Sequence, residues 1–226
     1  MCIRDRLYLA AVVDAREKLR AAKPEDKMTV FAVLMRLREI CCDPRLVADN
    51  WTGSSAKLEA CLELVTEAVA GGHRILLFSQ FTSMLELLAK RLDAEGISHF
   101  TLQGSTPKPV RAELVRRFNG GEVSVFLISL RAGGTGLNLT AADIVIHYDP
   151  WWNLAAQNQA TDRAYRIGQR NPVQVYRLIA QDTIEEKIVE LQQAKQSLAD
   201  TVTGGADGAI LSMNPEQLLQ LLGEEA

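Results

Sequence analysis

An alternation of short apolar segments and amphipathic segments between residues 56 and 179 most constrains the fold of this chain. Strands are predicted at 74–79, 99–103, 123–129, 143–148 and 173–179, and helices at 56–70, 82–95, 107–118 and 154–167. Apolar strands that alternate with amphipathic helices are typical of βα units, in which helices cover both faces of a mostly parallel sheet. The sequence therefore predicts a doubly wound α/β fold with flanking helical segments.

The segments on either side of this alternation have a different pattern. Helical periodicity at 7–22 and 27–41 precedes a polar stretch at 48–55, and further helices are predicted at about 184–202 and 215–222. We expect a helical lead-in at 1–53, an α/β lobe at 54–181 and C-terminal helices at 182–226. The first six residues, MCIRDR, resemble translated adapter read-through at the ends of assembled gene fragments, and we expect native sequence to begin near Leu7.

The cysteines, apolar runs and charge exclude several classes of protein. Cysteines stand at 2, 41, 42 and 61 without a CxxC pair or a nearby histidine, so neither a zinc site nor a disulfide framework is predicted, and Cys41 and Cys42 are interpreted as packing residues. No apolar run approaches about 20 residues, so no contact with a membrane is expected. The net charge of −3 argues against a generally basic surface, although residues 151–181 carry a local charge of +3.

A glycine-rich turn follows the predicted strand at 123–129. The apolar run VSVFLIS breaks into Arg131, Gly133, Gly134 and Gly136. Glycines at the carboxyl end of a strand can adopt positive φ and direct backbone N–H groups at a phosphate or ribose. A turn with a purely structural role fits the same residues equally well.

The helix predicted at 154–167 carries several polar groups at helical spacing. Asn153 is a candidate N-cap, and Gln159, Asp162, Arg163 and Arg166 recur at intervals of three or four residues, which places them on one side of a helix. A solvated face with an Asp–Arg pair is one interpretation. The other is that two guanidinium groups bind a polyphosphate.

Two further loops also lie at the carboxyl ends of predicted strands. They read SQFT at 79–82 and QGSTP at 103–107, and their hydroxyl, amide and glycine groups suit contact with a phosphate backbone. The alternative is that Ser79, Thr82 and Thr106 are helix N-caps.

Five stretches resemble a known family. LISLRAGGTGLNLTAADIVIHYDPWWN followed by QATDRAYRIGQ closely resembles motifs V and VI of Swi/Snf-type DNA translocases in helicase superfamily two. ILLFSQFTSMLELL resembles motif IV, LQGSTPKPVRAELVRRFN the next family motif, and VYRLIAQDTIEEKI the brace helix of the same family. The chain departs from the family at Gln103, Leu154 and Tyr165, where Asp, Pro and His are common. The resemblance implies the C-terminal RecA-like lobe of a bacterial member.

The resemblance also implies roles for individual residues. Arg163 and Arg166 are implied to be arginine fingers that complete an ATP site. Nucleotide contacts are implied for Gly134, Gly136, Asn138 and Gln159. Contacts with the DNA backbone are implied for Ser79, Gln80, Gly104, Ser105, Thr106, Arg111, Ser129, Arg131 and Trp152. For Trp152, packing of the helix onto the sheet together with Trp151 is the rival interpretation.

The ATP-binding motifs themselves are absent from this sequence. No GxxxxGK(S/T) occurs, and no Asp-Glu pair of Walker B type follows a strand. We expect these motifs and the Mg²⁺ ligands on an N-terminal RecA-like lobe of the same parent protein. The chain would then be the second motor lobe of an ATP-dependent translocase that acts on double-stranded DNA of any sequence in the cytoplasm, associated with the nucleoid, and it would not hydrolyse ATP alone.

Two other function classes remain open from the sequence. One is a nonenzymatic module that only binds DNA. The other is a Rossmann-type dinucleotide-binding domain, for which Gly134 and Gly136 are suitable but Leu139 occupies the position of the third glycine.

Overall fold

A computed structural model of the chain describes residues 3–48, 50–53, 55–130, 132, 137–165, 172–199 and 213–223. Backbone contacts divide the chain into two compact units. One unit is residues 56–179, and the other combines residues 1–55 with residues 180–226. Within the described ranges, no helix has both the length and the apolar character that a membrane crossing needs.

The described residues form eight α-helices and one short 3-10 turn at Pro44–Leu46. In chain order the helices are α1 (Ile3–Ala21), α2 (Lys27–Cys42), α3 (Ala56–Ala70), α4 (Thr82–Ala94), α5 (Lys108–Asn119), α6 (Leu154–Thr161), α7 (Ile184–Ala199) and α8 (Pro215–Leu221).

The unit at 56–179 contains a sheet of five parallel strands. They are β1 (Ile75–Ser79), β2 (His99–Leu102), β3 (Val125–Ser129), β4 (Ile144–His147) and β5 (Gln174–Arg177), in the order β2-β3-β1-β4-β5. In the register of the sheet, Phe78 of β1 lies opposite Ile128 of β3 and His147 of β4. The prediction of an α/β fold with a parallel sheet and flanking helices is confirmed.

The core of this unit holds the central strands and the segment around α6 together. Leu76, Phe78, Phe126 and Val145 from the strands pack with Phe118 of α5, and Ala160 and Ala164 join the same buried cluster. Burial of each large apolar side chain stabilises the fold by about 1.5–3 kcal/mol. The carboxyl ends of β1, β3 and β4 are therefore fixed relative to α5 and α6, and these ends carry the candidate site.

The helical unit has its own buried contacts. Leu34, Leu37 and Ile40 of α2 are buried, as are Cys41 and Cys42, which agrees with the interpretation of these cysteines as packing residues. The Tyr8 hydroxyl of α1 accepts a hydrogen bond from the backbone N–H of Ile184, the first residue of α7, at 2.6 Å. Burial raises the pKa of Tyr8, so the hydroxyl stays protonated at neutral pH.

Two local predictions are wrong. The helix predicted at 154–167 ends at Thr161, because the N–H groups of Arg163 and Ala164 bond three residues back, to Ala160 and Thr161, in a tight turn. Arg163 therefore follows the helix, and the spacing argument that placed it beside Gln159 fails.

The start of α7 also differs from its prediction. A capping box between Thr183 and Glu186 is predicted from the sequence. In the structure Thr183 Oγ1 instead accepts from the N–H of Glu185, and the Glu186 carboxylate accepts from the N–H of Asp182. Asp182 has a φ of 57°, which turns the chain into the helix.

Candidate functional site

The carboxyl ends of the parallel strands lie at one edge of the sheet. We call this the carboxyl edge, and it comprises the ends of β1 to β4 with the described loop residues 79–81, 103–107, 130, 132, 137–139 and 148–153. In open α/β sheets, ligands bind where the strand order reverses. Here the chain leaves β1 toward β3 and β2, and it leaves β4 toward β5, so the reversal lies between β1 and β4.

Asp149 connects the two loops at this reversal. The residue follows β4 and is fully buried. Its Oδ1 accepts hydrogen bonds from Ser79 Oγ at 2.5 Å and from the Gln80 N–H at 3.3 Å. The sequence analysis assigned no role to Asp149, although an acidic residue directly after a buried strand was a usable signal. The carboxylate fixes the loop after β1 against the loop after β4.

Ser79 and Ser129, both predicted to contact DNA, lie inside the unit. Ser79 is fully buried and Ser129 is 2% exposed. Ser79 Oγ accepts from the Phe81 N–H at 3.1 Å, and Ser129 Oγ accepts from the Ala132 N–H at 3.2 Å. These hydroxyls shape the first turn after their strands, and both residues are buried in this structure.

The loop between β2 and α5 is the most open part of the carboxyl edge. Gly104 and Ser105 are exposed, and Thr106 is partly buried with its Oγ1 accepting from the Gln103 N–H at 3.1 Å. A Cβ placed on Gly104 would meet no heavy atom within 4 Å. Arg111, on α5, donates into this loop.

The alternative explanation of these hydroxyls as helix N-caps is wrong. The N-caps of α4 and α5 are Phe81 and Pro107, and neither helix start has a side-chain capping bond. The hydroxyls of Ser79 and Thr106 instead bond with Asp149 and with N–H groups of their own loops, and they do not satisfy helix N-termini.

The start of α6 follows its prediction. The Asn153 side chain accepts from the Ala156 N–H at 2.9 Å, which confirms the predicted N-cap. Gln157 is buried, and its Oε1 accepts from the Trp151 N–H at 3.1 Å. This bond fixes the 148–153 loop onto α6.

Arg163 lies in the turn after α6 and is only 3% exposed. Its backbone carbonyl accepts from the Leu139 N–H at 3.1 Å. Leu139 belongs to the stretch that follows the glycine turn. The structure thus brings the two stretches that resemble motifs V and VI into direct contact.

His147, at the end of β4, supports the same turn. The Thr161 Oγ1 atom lies 3.0 Å from His147 Nε2 and 3.3 Å from the Gln157 carbonyl, so this hydroxyl links the imidazole to α6. The imidazole stacks on Phe78 with ring centroids 5.5 Å apart. Burial, with a smaller contribution from the charge of Arg177, lowers the pKa of His147 to about 4, so the ring is neutral at pH 7.

The remaining predicted residues are distributed as follows. Asn138 and Gln159 are exposed, and the Asn138 carbonyl accepts from Asn119 Nδ2 at 2.8 Å. Trp152 is partly buried, with its ring 5.3 Å from that of Trp151. Outside the described residues lie Arg131, Gly134, Gly136 and Arg166. Among the residues that the structure describes, no group of three or more His, Cys, Asp or Glu side chains could hold a metal ion.

The family follows from comparison with known proteins. Residues 56–168, half of the chain, match the helicase conserved C-terminal domain. The chain is a helicase C-terminal domain of the SNF2 family. The solved structures agree with this assignment of the helicase lobe. The SWI2/SNF2 ATPase C-terminal domain of Sulfolobus solfataricus is 27% identical, with a TM-score of 0.79 over 99% of this chain and 94% of that one.

Two further comparisons link the helicase lobe to ATP-dependent enzymes and to a DNA complex. The putative ATP-dependent helicase/translocase YwqA of Bacillus subtilis is 41% identical over 201 residues, which are 86% of this chain and 22% of that protein. The Sulfolobus solfataricus SWI2/SNF2 ATPase core in complex with dsDNA is 29% identical, with a TM-score of 0.80 over 99% of this chain and 48% of that one. The helicase lobe spans about a fifth of the length of the bacterial relatives it matches.

Proposed function

We propose that this helicase lobe is the second motor lobe of an ATP-dependent translocase on double-stranded DNA. The observation that carries the proposal is the bond between Leu139 and Arg163, which joins the motif V and motif VI stretches at the carboxyl edge. The likeness to a SWI2/SNF2 core in complex with dsDNA supports the DNA part of the proposal. The N-terminal RecA-like lobe of the parent supplies the rest of the ATP site.

Arg163 and Arg166 act in this proposal as arginine fingers. Their planar guanidinium groups stabilise the negative charge that develops on the transferred phosphoryl group. Since Arg163 is 3% exposed, its guanidinium reaches the nucleotide only after lobe closure rearranges the turn at 162–165. Gly134, Gly136, Asn138 and Gln159 contact the nucleotide, and Mg²⁺ is held by the other lobe and neutralises charge on the phosphates.

The DNA contacts of the proposal lie on the open part of the carboxyl edge. Gly104 and Ser105 are exposed, and the space beside Gly104 is empty, so one DNA strand can approach the backbone there. Gln80, Thr106, Arg131 and Trp152 extend this surface. Contacts of this kind position a protein on DNA without reading its sequence.

DNA-stimulated ATPase activity of the full-length parent tests the fingers. Arg163→Ala and Arg166→Ala are expected to lower turnover by about 10³-fold or more while DNA binding is retained. Arg177→Ala is the matched control, because this arginine lies on the exposed strand β5 of the same positively charged segment. Loss of DNA binding with turnover retained would show that the two arginines contact DNA instead.

Two further measurements test the need for the other lobe and the proposed DNA contact. The isolated 226-residue chain is expected to show no ATP turnover, since phosphoryl transfer needs a phosphate-binding loop and metal ligands that its sequence does not contain. Gly104→Ala in the parent is expected to leave folding unchanged and to weaken DNA binding.

The match to the helicase domain leaves the dinucleotide-binding alternative without support.

A further inference from the structure

Arg111 makes an unusual set of hydrogen bonds. Its Nε donates to the Thr106 carbonyl at 2.7 Å. Its Nη2 donates to the carbonyls of Gly104 at 2.8 Å and Gln103 at 3.3 Å, and its Nη1 donates to the Ala132 carbonyl at 3.4 Å. A guanidinium has five N–H groups, so these four bonds commit most of its donors to the protein's own backbone.

The four carbonyls belong to two different loops. Gln103, Gly104 and Thr106 lie in the loop after β2, whereas Ala132 belongs to the glycine turn after β3. The strands β2 and β3 are neighbours in the sheet. Ala132 is held from its other side as well, because its N–H donates to Ser129 Oγ. Arg111 therefore connects the open loop of the carboxyl edge to the turn proposed to face the nucleotide.

We infer that Arg111 is a positioning residue that couples these two loops, and that it is not a phosphate ligand. The identity of the two ligands, DNA and the nucleotide, rests on the proposed function. The contact between the two loops does not depend on it. These four carbonyl acceptors are uncharged, so the guanidinium keeps its positive charge at the carboxyl edge while most of its N–H groups are occupied. A shift of the 103–106 loop upon DNA binding is transmitted through Arg111 to Ala132.

Replacement by lysine separates the two roles. A lysine keeps the positive charge and can still contact a phosphate as a point charge. A single ammonium group with three N–H donors cannot span the carbonyls of Gln103, Gly104, Thr106 and Ala132. Arg111→Lys thus preserves a phosphate contact and destroys the connection between the loops. Arg116→Lys is the matched control, since Arg116 lies on the same helix, is exposed and pairs with Glu113.

Amide hydrogen exchange tests the connection without any need for activity. The N–H groups of Gln103 and Thr106 bond within the loop after β2, and the Ala132 N–H bonds with Ser129 at the end of β3. In the full-length parent, Arg111→Lys is expected to speed exchange of these three amides about tenfold or more, which corresponds to the loss of one hydrogen bond to a charged group. Unchanged exchange in Arg111→Lys would overturn the inference.

DNA binding and turnover of the same variants test the coupling. For Arg111→Lys we expect stimulation of the ATPase by DNA to fall about tenfold while the salt dependence of DNA binding stays as in the wild type. A phosphate ligand would behave differently. Arg111→Lys would then match the wild type, and Arg111→Met would reduce the salt slope by about one. Arg111→Gln replaces Arg111→Met if the latter does not fold.

The two proposals fail in different ways. A wild-type parent without DNA-stimulated turnover would overturn the translocase function, and the amide exchange would still decide whether Arg111 holds the loops. If amide exchange in Arg111→Lys is faster but DNA stimulates its ATPase as in the wild type, then Arg111 only holds the loop structure and the coupling is overturned.

Discussion

The strands β1 and β4 are joined by an aspartate at each end, and the two ends differ in burial. At the amino end, Asp143 accepts from the Arg74 N–H at 3.1 Å and pairs with His73 Nδ1 at 2.8 Å, and the His73 side chain is 45% exposed. At the carboxyl edge, the fully buried Asp149 accepts from Ser79 Oγ and the Gln80 N–H. The residue type and the strand pair are alike.

The difference in burial between the two aspartates shows which end of the strand pair is held more rigidly. A hydrogen bond that water can replace contributes little to stability, whereas removal of a buried partner leaves a polar group without compensation. The carboxyl edge carries the loops of the proposed site, and buried polar groups hold it. The opposite end of the same strands is held by groups that solvent reaches.

The largest expected effect is at Asp149. Asp149→Ala should lower the free energy of unfolding of the chain by about 3 kcal/mol, because the Ser79 hydroxyl and the Gln80 N–H lose a buried acceptor. Asp149→Asn keeps one acceptor oxygen and should cost less. Urea denaturation at pH 7 measures both. An effect no larger than that of Asp143→Ala would remove the distinction between the two ends.

A pH-dependent effect is expected at His147, also at the carboxyl edge. Its pKa of about 4 in the folded chain lies below the ordinary value of 6.5. Between these values the unfolded chain binds a proton that the folded chain does not. The free energy of unfolding should therefore fall as the pH drops from 6.5 to 4, by up to about 3 kcal/mol, and this contribution is fully present above pH 6.5.

Comparison with His147→Asn isolates the effect of this histidine. Denaturation curves at pH 7, 5.5 and 4.5 should show the wild type losing stability more steeply than the variant as the pH falls. Parallel pH profiles would mean that the imidazole is protonated as readily in the folded chain as in the unfolded one.

The smallest expected effect is at the amino end. Asp143→Asn should change the free energy of unfolding by about 1 kcal/mol or less, because His73 is half exposed and water replaces its contact. DNA binding by the parent should be unaffected. A loss comparable to that of Asp149→Ala would show that both ends of the strand pair are equally critical.

The sequence predicted the fold well because local patterns determine it. Apolar strands and amphipathic helices alternate with short connections, and few topologies satisfy such an order. The N-cap at Asn153 could also be predicted from the sequence, because it depends on residues within one helical turn. The end of α6 could not be predicted from the sequence. Polar residues after Thr161 keep helical spacing, but the Arg163 carbonyl bonds with the Leu139 N–H from a distant segment.

The sequence by itself determined the order of elements and the family, and it predicted that polar loops lie at the carboxyl ends of the strands. Only the tertiary structure decided which of those groups face inward. Ser79 bonds with a carboxylate 70 residues away, and Arg111 bonds with a carbonyl 21 residues away. Spacing within one segment carries no information about such partners, because burial is set by what packs against the segment from elsewhere in the chain.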